Sequence, residues 1–176
     1  MASNLTCPVP SNINPVASSG FMFSIKKIPE VSFFCQEVNI PAITLPSIDY
    51  QTPLSVISVA GDVLQFDDLV IQFIVDENMA NYKAIVDWMI GLGFPSNHTQ
   101  YKTFIDQQPE YNRISKESSS ATLQVLGSNN APVKTINFID IIPTSIGAIS
   151  FESTVTDVNY IMGTAVFKIS RYEFID

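Results

Sequence analysis

Between residues 69 and 75 the apolar side chains alternate, with Leu69, Ile71, Phe73 and Val75 on one side and Gln72 on the other. A strand gathers such residues onto one face and a helix scatters them, so this stretch is predicted to be a half-buried β-strand. The same period of two governs much of the chain. Phe21, Phe23 and Ile25 alternate with Met22, Ser24 and Lys26, and residues 121–126 and 133–142 form two further runs joined by Gly127-Ser128-Asn129-Asn130, the order of a hairpin. Residues 149–155 and 164–175 add two more, the last setting Val166, Lys168, Ser170 and Tyr172 against Phe167, Ile169 and Arg171. Val31 to Ile40 is rich in aromatic and β-branched residues and ends at Pro41, and with the first strand it reads as a hairpin turning at Pro29-Glu30. Seven or eight strands are expected.

One segment breaks this period. After Asp76 or Asn78, either of which can cap a helix, Met79, Tyr82, Ile85, Val86 and Met89 recur at spacings of three and four while Asn81, Lys83 and Asp87 are polar, and Gly91, Gly93 and Pro95 end the run. Tyr82, Ile85, Val86, Trp88 and Met89 are expected to dock this helix onto the sheet; Trp88 with Met89 is read as packing rather than a binding patch. Residues 96–120 are polar and aperiodic and read as a loop with a short helical turn near 101–106. Pro8, Pro10 and Pro15 among Asn and Ser make residues 1–20 an extended arm, leaving 21–176 as the domain. Between Pro41 and Gly61, Pro46 and Pro53 punctuate a long exposed excursion, with an edge strand expected at 54–59. The fold class is mainly β: an antiparallel β sandwich or half-barrel with one flanking α-helix.

The chain has 176 residues, enough for one domain, and is 46% hydrophobic. Only 15% of residues are charged, against roughly 25% in soluble domains, which points to extensive burial between subunits. The net charge of −8 opposes tight binding of polyanions. Cys7 and Cys35 are read as reduced thiols, no secretory signal is evident near Met1, and no apolar stretch approaches the roughly 18 residues of a membrane span. Folding in a cytoplasm is expected, with the Asn4 and Asn97 sequons unused.

Catalytic chemistry finds no anchor. His98 is the single histidine and has no ligand or triad partner at suitable spacing. Asp67 and Asp68 are adjacent, so in a strand they face opposite ways and cannot act as a dyad; pairing with Lys or Arg, or solvation, is expected. Gly91-Leu92-Gly93 follows a helix where a phosphate cradle would open one. A protein without enzymatic activity, cofactor or metal is expected.

Four segments together resemble the tail tube proteins of contractile-tailed bacteriophages, whose domain also serves in baseplate tube initiators. They are Phe34-Cys35 with Pro41; Val59-Ala60-Gly61-Asp62 before Phe66-Asp67-Asp68; Asp76 with the helix bearing Val86-Asp87-Trp88; and Pro143-Thr144 with Gly147 before the closing Tyr172-Glu173-Phe174. The spacing between Gly61-Asp62 and Phe66-Asp67-Asp68 is one residue longer than the family pattern, Leu69 stands where an aromatic is usual, and the Pro-rich arm is peculiar to this chain.

The resemblance implies six copies per ring, with strands from every copy forming an inner β barrel, and rings stacking into a tube in the virion. Its partners would be the tail sheath and baseplate or tail-terminator proteins, with DNA passing through an acidic lumen without specific binding and no membrane involved. Thr44, Leu45, Pro46, Ile48, Tyr50, Pro53, Val59, Gly61 and Asp62 would lie on the loop that reaches a neighbouring subunit or ring. Replacing Gly61 with a β-branched residue would then impair assembly more than folding. A ring specialised for one end of the tube is the nearest alternative. A ligand-binding β sandwich is the alternative of another class, with Tyr101 and Tyr111 as its loop aromatics.

Overall fold

The computed structural model describes residues 14–93, 96–106, 117–153 and 159–175. In chain order the elements are β1 (Phe21–Ile25), α1 (Pro29–Phe34), β2 (Cys35–Val38), β3 (Ile43–Thr44), β4 (Ser47–Gln51), β5 (Val56–Ala60), β6 (Gln65–Phe66), β7 (Leu69–Ile74), α2 (Ala80–Gly93), α3 (His98–Asp106), β8 (Ser119–Leu126), β9 (Pro132–Ile146), β10 (Met162–Lys168) and β11 (Arg171–Ile175). Seven strands form an antiparallel half-barrel with the order β1-β8-β9-β10-β7-β2, and β11 joins the other edge of β9.

Strand β9 organises the whole. Its first part pairs with β8 and β11 and its last part with β10, so it belongs to two leaves, β1-β8-β9-β11 and β9-β10-β7-β2. The chain changes leaf at Asp140, which has φ 55°, a left-handed conformation that Asp tolerates better than most residues; Ser118 Oγ donates to its carboxylate at 3.1 Å. Pro143 does not end the strand, as the punctuation had suggested. It faces Phe167 at a register shift between β9 and β10, where a missing N–H costs least.

The alternation seen in sequence fills the interior. In the first leaf Phe23, Leu123 and Ile136 share one row and Ile25, Ala121 and Phe138 the next, all buried. In the second, Leu69, Ile71 and Phe73 face Phe167, Ala165 and Gly163 across the β7–β10 ladder. Ile85 and Trp88 of α2 complete the cluster, the Trp88 ring centroid 6.1 Å from that of Phe167.

Several sequence expectations are corrected. Residues 21–40 are not a hairpin. Pro29 occupies the start of a helix and Glu30 its first turn, so α1 intervenes, β1 pairs with β8, and β2 pairs with β7. The loop after α2 holds a full helix, α3, whose Phe104 packs so close to Gly91 that a Cβ there would lie 2.7 Å from the ring. Three helices are therefore present among the described residues, where one was expected. Residues 149–153 form no strand, 154 and 155 lie outside the described residues, and the closing run is two strands, β10 and β11, broken at Ile169 and Ser170. Of the arm, residues 1–13, with Cys7, Pro8 and Pro10, lie outside the description.

Asn81, assigned to the polar face of the helix, is buried at its start. Its Nδ2 donates to the Ile74 carbonyl at 2.8 Å and its Oδ1 accepts from the backbone N–H groups of Tyr82 at 2.8 Å and Asp76 at 3.2 Å. These bonds tie the end of β7 to α2 and satisfy amides that a helix start leaves open. Asn81→Ala is expected to cost about 2–3 kcal/mol in denaturant unfolding, because it strands buried backbone groups.

Cys35 lies on β2 opposite Phe73. Burial pushes its thiol up to about 11, only partly offset by its bond to the Glu37 carbonyl. In a Cys7→Ser background, Cys35 is expected to alkylate about 100-fold more slowly at pH 8 than in the unfolded chain, because the thiolate is the nucleophile. The native-state protection should fade as pH rises toward 11.

Candidate functional site: an uncovered apolar hairpin

Strands β4 and β5 form a hairpin outside the main sheet, every residue of both strands exposed. The pairing is Ser47 with Ala60, Ile48 with Val59, Asp49 with Ser58, Tyr50 with Ile57 and Gln51 with Val56. Directly opposed residues share a face, and alternate residues along a strand do too. One face therefore carries Ile48, Val59, Tyr50 and Ile57, and the other Ser47, Asp49, Ser58 and Gln51 with Ala60 and Val56. On the polar face Ser58 Oγ donates to Asp49 at 2.5 Å. The apolar face has nothing against it: its four residues are 62%, 46%, 64% and 52% exposed.

The hairpin is held at both ends. At its tip Thr52 N–H donates to the Ser55 carbonyl at 2.9 Å across Pro53 and Leu54, and Leu54 is 98% exposed. At its base Gly61 N–H donates to the Pro46 carbonyl at 2.7 Å, and a Cβ on Gly61 would lie 2.7 Å from that same oxygen. Below, Thr44 pairs with Gln65 and Ile43 with Phe66, and Asp67 N–H donates to the Ala42 carbonyl at 3.0 Å. Gly61→Val is expected to break this clamp and lower assembly at least 10-fold while thermal melting moves by no more than about 3 °C, since the hairpin adds nothing to the core.

The sequence-predicted contact residues thus fall into three places. Ile48, Tyr50 and Val59 are on the apolar face, Thr44, Pro46 and Gly61 build the base, and Leu45, Pro53 and Asp62 are exposed around it. Sequence reasoning missed Ile57, whose partnership with Tyr50 is visible only once β4 is recognised as a strand, and the exposed Ile43, Leu54, Val56, Val63 and Leu64. From 40 to 64, eleven large apolar residues are exposed. They present on the order of 1,000 Å² of apolar surface, comparable with the roughly 800 Å² per partner of a standard protein interface.

Of the expected docking residues, Ile85 and Trp88 are buried, and Tyr82, Val86 and Met89 are half-buried; Tyr82 Oη donates to the Gly147 carbonyl at 3.4 Å. Trp88 Nε1 donates to the Glu117 carbonyl at 3.0 Å, and the Lys27 ammonium sits 5.0 Å from its ring centroid.

The outward face of the first leaf is a second uncovered surface. Its rows read Ser24, Thr122, Asn137, Glu173 and Met22, Gln124, Thr135, Ile175. Glu173 is paired with Arg171 at 2.8 Å, so the face is polar and close to neutral in a strongly acidic chain. Strands β1 and β11 each have one unpaired edge, and at β11 Phe174, in the row of buried Phe23, Leu123 and Ile136, is 63% exposed.

Other candidates are structural. Asp68 pairs with Lys168 at 3.2 Å, His98 opens α3 with its ring stacked 5.7 Å from that of Tyr101, and Tyr101 Oη donates to Glu117 at 2.6 Å. Tyr111 lies outside the described residues. Among the described residues no three His, Cys, Asp or Glu side chains gather as a metal site, and no helix is long and apolar enough to cross a membrane.

No protein-family model matches the chain, and no curated protein does. Solved structures do. The chain is similar to the sheath/tube terminator of the extracellular contractile injection system PVC in its extended state (TM-score 0.58, 17% identity, covering 93% of this chain and 98% of that one). It is similar to the tube-terminating cap of the anti-feeding prophage (TM-score 0.59, 12% identity, 98% of each chain). It is also similar to a chain of the PVC sheath–tube complex (TM-score 0.55, 17% identity, 92% of this chain and 91% of that one). The chain shares its fold with these components of contractile injection systems.

Proposed function

We propose that this chain is a non-enzymatic structural subunit of a contractile tail tube, closing into six-membered rings that stack around a bore. The observation that carries this reading is the hairpin whose whole apolar face is open to water. A lone two-stranded hairpin is marginal in water, and an apolar surface of this size on a soluble protein marks an interface. Its fold is that of proteins whose names place them in sheath–tube complexes and tube ends.

Lateral closure follows from the first leaf. Continuing the sheet from one copy's β11 edge to its neighbour's β1 edge would pair backbone groups now left open and cover Phe174. A head-to-tail contact of this kind closes into a ring when the rotation allows. The outward face of that leaf then lines the bore. On this reading the wall is close to neutral, built of Ser24, Thr122, Asn137, Gln124 and Thr135, in place of the acidic lumen expected from net charge. Such a wall lets a polyanion such as phage DNA pass without forming ion pairs.

Purified protein at high concentration should give ring-sized particles by sedimentation and sixfold rings or tubes by electron microscopy. A strictly monomeric species would reject the reading. A second reading, a ring specific to one end of the tube, is favoured by the likeness to a terminator and a cap. It predicts a fixed copy number per particle, where the repeating subunit predicts one that grows with tail length.

A further inference from the structure

If rings stack, the hairpin needs a receiving surface, and the topology supplies one at the opposite end of the same domain. The hairpin's base, β3 and β6, lies next to the start of β7, where Asn39 Nδ2 donates to the Asp68 carbonyl and Asp68 pairs with Lys168 at the end of β10. At the other end of β7, Ile74 pairs with Met162, and Val75 N–H donates to the Ile161 carbonyl. The six residues of β7 separate these ends by about 20 Å. At this far end Phe151 is 74% exposed, Tyr160 76% and Met162 43%.

We infer that the surface bearing Phe151, Tyr160 and Met162 receives the Ile48, Tyr50, Ile57 and Val59 face of the hairpin from a second copy of this chain in the adjacent ring. The inference rests on the stacked-ring reading and adds its missing half. Two apolar surfaces at opposite ends of one domain cannot satisfy each other within a monomer. Between copies displaced along the strand direction they can, and the contact is heterologous: each ring offers hairpins on one side and receiving surfaces on the other, so it propagates without closing. Burying aromatic rings also matches what interface centres contain. The area supports a second copy as occupant: the hairpin region presents on the order of 1,000 Å², more than three exposed side chains and their flanking backbone need for cover.

Complementation between two disabled chains tests this. One carries Ile48→Asp with Ile57→Asn, the other Phe151→Ser with Tyr160→Ser, and rings of each are assembled separately and then mixed. Each variant alone should give single rings by sedimentation velocity and electron microscopy. The mixture should give pairs of rings and no longer stacks, because an intact hairpin meets an intact receiving surface once and the outer sides of the pair are both disabled. Tyr160→Arg alone, outside any strand, should also block stacking. If the Phe151→Ser, Tyr160→Ser rings stack like the unmodified protein, the surface serves some other component and the inference is wrong. If the mixture stays as single rings, it is equally wrong. Unmodified protein that forms no rings overturns the ring reading itself, and rings that never stack overturn the stacking, both without reference to these residues.

Discussion

Replacing Ile48 with aspartate and Ile57 with asparagine is expected to abolish ring stacking while leaving the domain folded. Both side chains lie on the one face of the β4–β5 hairpin that carries no polar group and is open to water. Burying an isoleucine side chain contributes about 1.5–3 kcal/mol, so removing two from an interface, one by introducing a charge that must be desolvated, weakens each contact by at least about 3 kcal/mol. That is more than 100-fold in association. The domain itself loses nothing buried, and a surface exchange of this kind shifts stability by roughly 0.5 kcal/mol. Sedimentation velocity should therefore show stacks lost while thermal melting stays within about 3 °C. Unchanged stacking would mean that the hairpin is not the contact.

The second large effect lies in the core. Gly163 on β10 is paired with Phe73 on β7, and a Cβ on Gly163 would lie 2.8 Å from Cζ and 3.0 Å from Cε2 of that ring. Gly163 has an ordinary backbone conformation, so the requirement there is space. Gly163→Val is expected to drive the Phe73 ring from its place and cost about 3 kcal/mol or more, in the range of overpacked cores. Phe73→Ala, at a fully buried ring, should cost about 3–5 kcal/mol. The two changes share one volume, so the double variant should lose clearly less than the sum of the single losses. Denaturant unfolding of the four proteins checks this; additive losses would show that the pair is not in contact.

The sequence made the core strands legible because their alternation is set by the core itself. β7 is buried at Leu69, Ile71 and Phe73, and the β8–β9 hairpin has Gly127 and Asn130 in its turn, Asn130 at φ 59°. What stayed hidden has identifiable causes. Val31 to Phe34 has strand-like composition, and only Pro29 and Glu30 signalled that it begins as a helix. Asn81 looks like a solvated residue until β7 and α2 are joined, when its amide proves to bridge them. Partners distant in sequence, such as β1 with β8, leave no local trace. Strand β4 was obscured by Pro46 and Pro53, although Ile48 and Tyr50 alternate properly. The site was legible as a region, from the excursion and from Gly61; its amphipathic face was not, because that depends on the register of β4 against β5.

All of this converges on one geometrical statement: the open face of the hairpin is covered by another copy of the same chain. A cryo-electron microscopy reconstruction of the assembled protein tests it directly. The account predicts a sixfold ring in which Ile48, Tyr50, Ile57 and Val59 are buried against an adjacent ring and the Thr122, Gln124 and Asn137 face looks into the bore. A particle in which these hairpin side chains still face solvent, with no bore between copies, would contradict it.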